Sequence, residues 1–172
     1  MHTRAMSRRT CVTSRRLTEN GPLEVAVSVA AAEPRDAPEL ARLSTQLGYP
    51  MTEAQALERL AALAGHPDHR LLVARRADRR RVAGWLQVSR PRIFETPDSA
   101  EIAGLVVDED QRGRGIGPLL LRAAEDWARA SGCAALRVRS NVVRERAHAF
   151  YVREGYAEIK RQKVFEKRLG GA

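Results

Sequence analysis

The sequence predicts a single α/β domain built on one central mixed, mostly antiparallel sheet of six to seven strands, flanked by about four helices. Two observations lead to this fold class. With 172 residues and 44% hydrophobic content, the chain is long enough for one well-buried core and short for two domains. Short β-type runs alternate with amphipathic helical segments, and one apolar run passes through a glycine-rich turn directly into a helix.

The predicted domain covers residues 24–169, between a basic N-terminal tail of residues 1–23 and a C-terminal tail of residues 170–172. The N-terminal tail carries several arginines and almost no apolar periodicity, which favours a flexible extension over an organellar transit peptide. The sequence has neither a run of roughly 18 apolar residues nor an apolar secretory segment, so we expect a cytoplasmic protein with no membrane partner.

Periodicity predicts the elements of the first half of the domain. β-Branched alternation marks a strand over residues 24–32. A helix that ends near Leu47 follows it, and Thr52 is placed to cap a second helix. Two short β-type runs, over residues 71–74 and 82–88, are separated by polar residues and predict an antiparallel hairpin.

The second half of the domain alternates strands with helices. β-Type runs over residues 100–107 and 135–139 predict two further strands. Helical spacing of the apolar residues predicts helices over residues 117–130 and 144–154. One or two closing strands are expected over residues 156–169.

A glycine-rich turn joins the strand over residues 100–107 to the next helix. It reads Arg112-Gly113-Arg114-Gly115-Ile116-Gly117. Glycines let backbone N–H groups point at phosphate oxygens, and the helix adds the positive end of its dipole, so the turn predicts a phosphate-bearing ligand. Its spacing fits neither a dinucleotide-binding G-x-G-x-x-G, since Leu120 stands at the last glycine position, nor a P-loop, which needs a Lys-Ser/Thr pair. A plain strand-to-helix turn is the alternative.

Two motifs in sequence resemble those of one enzyme family. Arg112-x-x-Gly115-x-Gly117 is similar to the pyrophosphate-binding signature of the GNAT family of N-acetyltransferases. A later motif resembles the same family, most of all the small-molecule branch that includes aminoalkylphosphonate N-acetyltransferases. It consists of Ser140, Asn141, Arg144, Ala147, His148, Phe150, Tyr151, Gly155 and Tyr156.

The resemblance implies that acetyl-CoA is the acetyl donor. The turn over residues 112–117 would hold its pyrophosphate, and one backbone N–H of the preceding strand would polarise the thioester carbonyl. Asn141 resembles a cofactor-contacting position, with an N-cap for the helix from Arg144 as the alternative. The strand residues expected along the pantetheine arm are Leu105, Val106 and Val107.

The implied reaction is direct attack of a primary amine on the thioester. The resemblance places the Tyr151 hydroxyl near the CoA sulfur, so Tyr151 is the predicted general acid, with a core tyrosine beside Phe150 as the alternative. Glu101 is the predicted base, because strand alternation puts it on the same face as Leu105 and Val107. A water as the base, or an ordinary strand-edge charge at this position, is left open.

The predicted acceptor is a small-molecule amine, with an anionic group that arginine could hold. The two N-terminal helices are expected to flank it. Two alternatives are open: an acetyltransferase of protein amines, and a non-catalytic acyl-CoA-binding sensor or interaction module. A homodimer is also left open.

Charge and residue types bear on other partners. The formal net charge of +9 is spread along the chain with few aromatic residues interleaved, so no nucleic-acid partner is expected. His66-Pro67-Asp68-His69 contains metal-ligand residue types, but its place between a helix and a strand indicates a turn. We therefore expect no metal site.

Overall fold

A computed structural model describes residues 26–77 and 81–169. The predicted tails of residues 1–23 and 170–172, and the start of the predicted strand over residues 24–32, lie outside the described residues. The chain divides into two compact units, one that ends at Arg139 and one that begins at Ser140. The whole sheet belongs to the first unit.

The described part of the first unit forms five strands and three α-helices. The longest helix has 15 residues, and within the described ranges no helix has the length and hydrophobicity of a membrane span. The second unit contains one helix, α4 (Glu145–Arg153). In chain order, the elements of the first unit are β1 (Val27–Ala31), α1 (Ala37–Leu47), α2 (Glu53–Leu63), β2 (His69–Arg76), β3 (Val82–Ser89), β4 (Ser99–Val107), α3 (Ile116–Ala130) and β5 (Ala135–Val138), with short 3-10 helices at Pro34–Asp36 and Glu109–Gln111.

The sheet is mixed, as predicted. Its strand order is β1-β2-β3-β4-β5, and β1 to β4 pair antiparallel with their neighbours. β5 pairs parallel with β4, because the chain crosses over through α3 before it returns to the sheet. The predicted hairpin is β2 and β3.

The predicted count of six to seven strands is wrong, since the sheet of the described residues has five. The closing strands were expected over residues 156–169, and the described residues form no strand there. The charged and polar run from Lys160 to Lys163 interrupts the apolar alternation, so this segment has no continuous apolar face to bury. Accordingly, Ile159, Val164 and Phe165 are exposed.

Local capping chemistry explains where α1 and α2 end and begin. The Oγ1 atom of Thr52 accepts a hydrogen bond from the backbone N–H of Gln55 at 3.2 Å. The side-chain carbonyl of Gln55 accepts one in return from the N–H of Thr52 at 2.9 Å, which completes a capping box. α1 ends at Gly48 with a φ of 96°, a conformation that favours glycine.

Helices cover both faces of the sheet. Residues directly opposed on neighbouring strands share a face, so the opposed pair Trp85 and Val106 lies on one face, where both join the core cluster with Leu43 of α1. A Cβ added to the neighbouring Gly84 would lie on the other face of the sheet, 3.3 Å from Leu120 of α3. The two faces are therefore an α1/α2 face and an α3 face.

Gly104 makes room for the Trp85 indole, so we expect Gly104→Ala to destabilise the fold. An added Cβ would lie 2.9 Å from Cη2 and Cζ3 of Trp85, and this ring is only 9% exposed. Overpacking of this kind costs about 1–3 kcal/mol, which urea unfolding would measure. As a control, Trp85→Leu should relieve the clash, so the double variant should cost less than the sum of the single variants. Wild-type stability of Gly104→Ala would contradict this packing.

Candidate active site

The loop predicted to bind phosphate forms an exposed arch, residues 112–115, between β4 and α3. Its two anchors are buried, with Gln111 5% and Ile116 2% exposed, whereas residues 112–115 between them are exposed. Gly113 and Gly115 have φ angles of 76° and 75°, and an added Cβ would meet no atom within 4 Å at either. Backbone conformation, and not crowding, is therefore what favours glycine at both positions.

The arch opens at the N-terminus of α3. Gly115 is the N-cap residue, and no side chain caps the helix there, so the positive end of the helix dipole is open to a ligand. Gly117 is buried within the first turn. Arg112 and Arg114 are exposed on the arch and add positive charge. This arrangement fits an anionic group such as a pyrophosphate.

One edge of β4 has no partner strand next to the arch. β5 pairs with β4 only from Ser99 to Ile102, and within the described residues no strand pairs with this edge beyond Ile102. Since the N–H of Asp108 donates to the Ala83 carbonyl of the β3 side at 2.9 Å, alternation turns the backbone groups of Leu105 and Val107 toward the open edge. An extended ligand could therefore add to β4 like a strand.

Arg112 connects the arch to this open edge. Its Nε donates to the carbonyl oxygen of Val107 at 3.2 Å, and its Nη2 lies 3.6 Å from a carboxylate oxygen of Glu109. The side chain is nevertheless 43% exposed. Arg112 is thus placed between the arch and the open edge of β4, with part of its guanidinium accessible.

A β-bulge in β4 changes the predicted position of Glu101. Gln87 pairs with Gly104 and Val88 with Ile102, so Ala103 has no partner on β3 and the alternation shifts by one residue. The prediction that Glu101 shares a face with Ala103, Leu105 and Val107 is therefore wrong. Glu101 lies on the α1/α2 face with Val106 instead. A glycine inside a strand pattern is a signal for a bulge, and Gly104 supplied it.

The Glu101 carboxylate is half-buried and charge-paired. Its Oε2 lies 3.0 Å from Nη2 of Arg139, and its side chain is 21% exposed. The role of Glu101 as the base stays a prediction, and the carboxylate lies on a different face than predicted.

Tyr151 lies in an aromatic cluster of the second unit. Its ring centroid is 5.2 Å from that of Phe150 and 5.7 Å from that of Tyr156. Burial raises the pKa of the Tyr151 hydroxyl, partly opposed by the positive charge of Arg144. The hydroxyl therefore keeps its proton at neutral pH and has one to donate.

Asn141 lies in the turn that leads into α4 of the second unit. Its Oδ1 accepts a hydrogen bond from the N–H of Val143 at 3.2 Å, which is an Asx turn. The N-cap residue of α4 is Arg144, so the alternative prediction of Asn141 as the N-cap is wrong. The carbonyl oxygen of Asn141 also accepts from Nε2 of His148 at 3.0 Å.

The structure thus groups the predicted residues by unit. The first unit contains the arch, the open edge of β4 and Glu101, which lies toward the other end of β4, and the second unit contains Tyr151 and Asn141. The predicted turn at residues 66–69 is found before β2, where the N–H of Asp68 donates to Nδ1 of His66 at 3.1 Å. Among the described residues, no three His, Cys, Asp or Glu side chains come together as metal ligands would.

Solved structures show where this fold occurs. The aminoglycoside antibiotic 6'-N-acetyltransferase AAC(6')-Ih from Acinetobacter baumannii superposes with a TM-score of 0.74 at 20% identity, over 84% of this chain and 99% of that one. The aminoglycoside N-acetyltransferase AAC(6')-Iy in complex with CoA superposes with a TM-score of 0.75 at 15% identity, over 88% of this chain and 99% of that one. At these identities the likeness concerns the fold.

Sequence comparison shows the family. An aminoalkylphosphonate N-acetyltransferase from Salmonella typhimurium is 45% identical over 58 residues, which are 34% of this chain and 38% of that relative. The family model described as "Acetyltransferase (GNAT) family" matches residues 36–156, which contain the arch, β4 and Tyr151. The predicted family, and with it the enzyme class and acetyl-CoA as donor, are confirmed at the level of the family. The chain belongs to the GNAT acetyltransferase family.

Proposed function

We propose that this protein transfers an acetyl group from acetyl-CoA to the primary amine of a small molecule. The observation that carries the proposal is the open edge of β4 leading directly into the glycine arch. A molecule with an amide-bearing arm and a pyrophosphate can bind both features at once, the arm along the strand edge and the pyrophosphate on the arch. The family match supports the same donor.

The residues of β4 and the arch divide the binding of the donor between them. Leu105 and Val107 offer backbone hydrogen bonds to the pantetheine arm, since their N–H and C=O groups point to the open edge. Val106 is 4% exposed and packs the strand against the core. The pyrophosphate is assigned to Arg112, Gly113, Arg114, Gly115, Ile116 and Gly117, and a further donor contact to Asn141.

The chemistry needs one group that accepts a proton and one that donates it. Acetyl-CoA supplies the acetyl group as a thioester. The acceptor nitrogen attacks the thioester carbonyl directly, the N–C bond forms and the C–S bond breaks. Glu101 takes the proton that the amine loses, directly or through a water, and Tyr151 gives its proton to the departing sulfur. A backbone N–H of residues 105–107 stabilises the negative charge on the carbonyl oxygen.

The acceptor is assigned as a small amine that carries an anionic group. The named activity of the Salmonella typhimurium relative, on an aminoalkylphosphonate, supports this class. A cytoplasmic location and a homodimer stay predictions.

A free-thiol release assay tests the proposal. Purified protein would be given acetyl-CoA and a panel of aminoalkylphosphonates, other small amines, polyamines, aminoglycosides and amine-bearing peptides. We expect turnover on small amines, highest on those with an anionic group, and little on peptides. Turnover on peptides alone would mean that the acceptor is a protein amine and not a small molecule. CoA binding with no turnover on any amine would instead support a sensor.

A further inference from the structure

Asp108 occupies the corner where β4 turns toward the arch. It is 8% exposed although its side chain is charged. Its N–H donates to the carbonyl oxygen of Ala83 at 2.9 Å, and its own carbonyl oxygen accepts from the N–H of Gln111 at 2.8 Å. The backbone of Asp108 thus ties the β3 side of the sheet to the buried residue from which the arch begins.

Side chains of α1 hold the same corner. Nη2 of Arg42 lies 2.7 Å from Oδ2 of Asp108, and Oε1 of Gln46 accepts from the backbone N–H of Glu109 at 3.2 Å. Arg42 and Gln46 are one helical turn apart and so extend from the same side of α1. Glu39 accepts a second hydrogen bond from Nη2 of Arg42 at 2.9 Å, which orients the guanidinium. One face of α1 therefore contacts two consecutive residues of the corner.

The Arg42–Asp108 pair is charged at neutral pH. Burial acts to raise the pKa of Asp108, but hydrogen bonds from Arg42 and Gln46 outweigh it, and the pKa is lowered. Burial acts to lower the pKa of Arg42, but its hydrogen bonds to Asp108 and Glu39 raise it. Removal of one partner would leave the other charge partly buried and uncompensated, so the corner would rearrange.

We propose that Arg42 and Asp108 are positioning residues for acetyl-CoA, which fix the corner that carries the arch and connect the arch to α1. The inference rests on the proposed function in one respect, the assignment of the arch to the donor. Only Glu109, Asp110 and Gln111 separate Asp108 from residues 112–115, and Gln111 is itself bonded to Asp108. A displaced Asp108 therefore displaces the backbone groups that face the pyrophosphate. Since α1 is expected to flank the acceptor, the Arg42–Asp108 pair also connects the helix next to the acceptor with the arch that binds the donor.

A second ion pair provides a matched control. Nη2 of Arg90 lies 2.6 Å from Oδ1 of Asp68, and the two side chains are 22% and 19% exposed, close to the 30% and 12% of Arg42 and Asp108. Arg90 also donates to the carbonyl oxygen of Ser131 at 2.9 Å. The Arg90 pair therefore has similar burial and similar structural contacts, but within the described part of the chain it makes no hydrogen bond or ion pair to the corner or the arch.

The experiment measures CoA binding by titration calorimetry and acetyl-CoA kinetics for Arg42→Met, Arg42→Lys and Arg90→Met. We expect Arg42→Met to raise the Kd for CoA and the KM for acetyl-CoA by about tenfold, a typical size for coupling between contacting groups. The kcat at saturating acetyl-CoA should stay near the wild-type value. Arg42→Lys should recover part of the affinity, and Arg90→Met should bind CoA like the wild type while its Tm falls.

The results for these variants separate the positioning role of Arg42 from the proposed function. Wild-type CoA affinity in Arg42→Met, or an equal loss in Arg90→Met, would overturn the positioning role while the proposed function stands. If the wild-type protein itself binds no CoA, the proposed function fails and this inference fails with it. Should Arg42→Met not fold, Asp108→Asn keeps the side-chain shape, removes the charge and is expected to weaken CoA binding in the same way.

Discussion

Replacing Tyr151 by phenylalanine is expected to lower kcat by about a hundredfold or more, the size typical of a lost general acid. The substitution removes the hydroxyl and leaves the ring to fill its place beside Phe150 and Tyr156. Since the sulfur must then leave as an unprotonated thiolate, the loss should fall on kcat, with the KM for acetyl-CoA nearly unchanged. Initial rates of thiol release over a range of acetyl-CoA concentrations measure both constants.

The pH profile gives an independent test of the same hydroxyl. Because burial raises the pKa of Tyr151, its proton is lost only above the ordinary tyrosine value of about 10. Wild-type activity should therefore show no decline from this group below that pH. The control is Tyr49→Phe, which removes a hydroxyl from a side chain that is 65% exposed and should leave kcat unchanged. Equal kcat values for Tyr151→Phe and the wild type would contradict the role of Tyr151 as general acid.

Replacing Glu101 by glutamine is expected to lower kcat/KM by about a hundredfold at neutral pH, as is usual for the loss of a general base. Glutamine keeps the shape of the side chain, but its amide cannot accept the proton that the acceptor amine must lose. Initial rates at neutral pH with a good amine acceptor would measure this loss.

Arg139→Gln separates the proton transfer from the ion pair. This variant breaks the 3.0 Å contact between Arg139 and Glu101 but keeps the carboxylate, and the Arg139 side chain is 70% exposed. We expect it to retain most of the activity. If Glu101→Gln keeps its activity as well, the base is a water or another group. If both variants lose activity equally, the ion pair matters and not the proton transfer.

Much of the candidate site could be predicted because its chemistry is local. The left-handed φ angles of Gly113 and Gly115 follow from the ease with which glycine adopts them, and their place before an amphipathic helix was readable in the sequence. The same holds for Thr52, whose capping box joins residues three positions apart. Tyr151 was singled out through its motif, and its role as general acid stays a prediction.

The predictions that failed depend on contacts between distant residues. Strand alternation placed Glu101 with Leu105 and Val107, but pairing with β3 leaves Ala103 as an extra residue and shifts the alternation. The closing strands were expected over residues 156–169, where the described residues form no strand. Gly104 signals a bulge and the run from Lys160 to Lys163 weakens the strand pattern, but which residues finally pair is decided by the neighbouring strand.

Residues adjacent in the chain suffice to specify the helices, their caps, the glycine arch and the order of strands and helices, since backbone preference and periodicity act over a few residues. The sequence motifs also identify the family. The open edge of β4 depends on where β5 stops, the face of Glu101 on a bulge against β3, and the Arg42–Asp108 pair on the packing of α1 over the end of β4. These features arise only when segments far apart in sequence meet, because their hydrogen bonds and ion pairs do not exist before the sheet and its helices assemble.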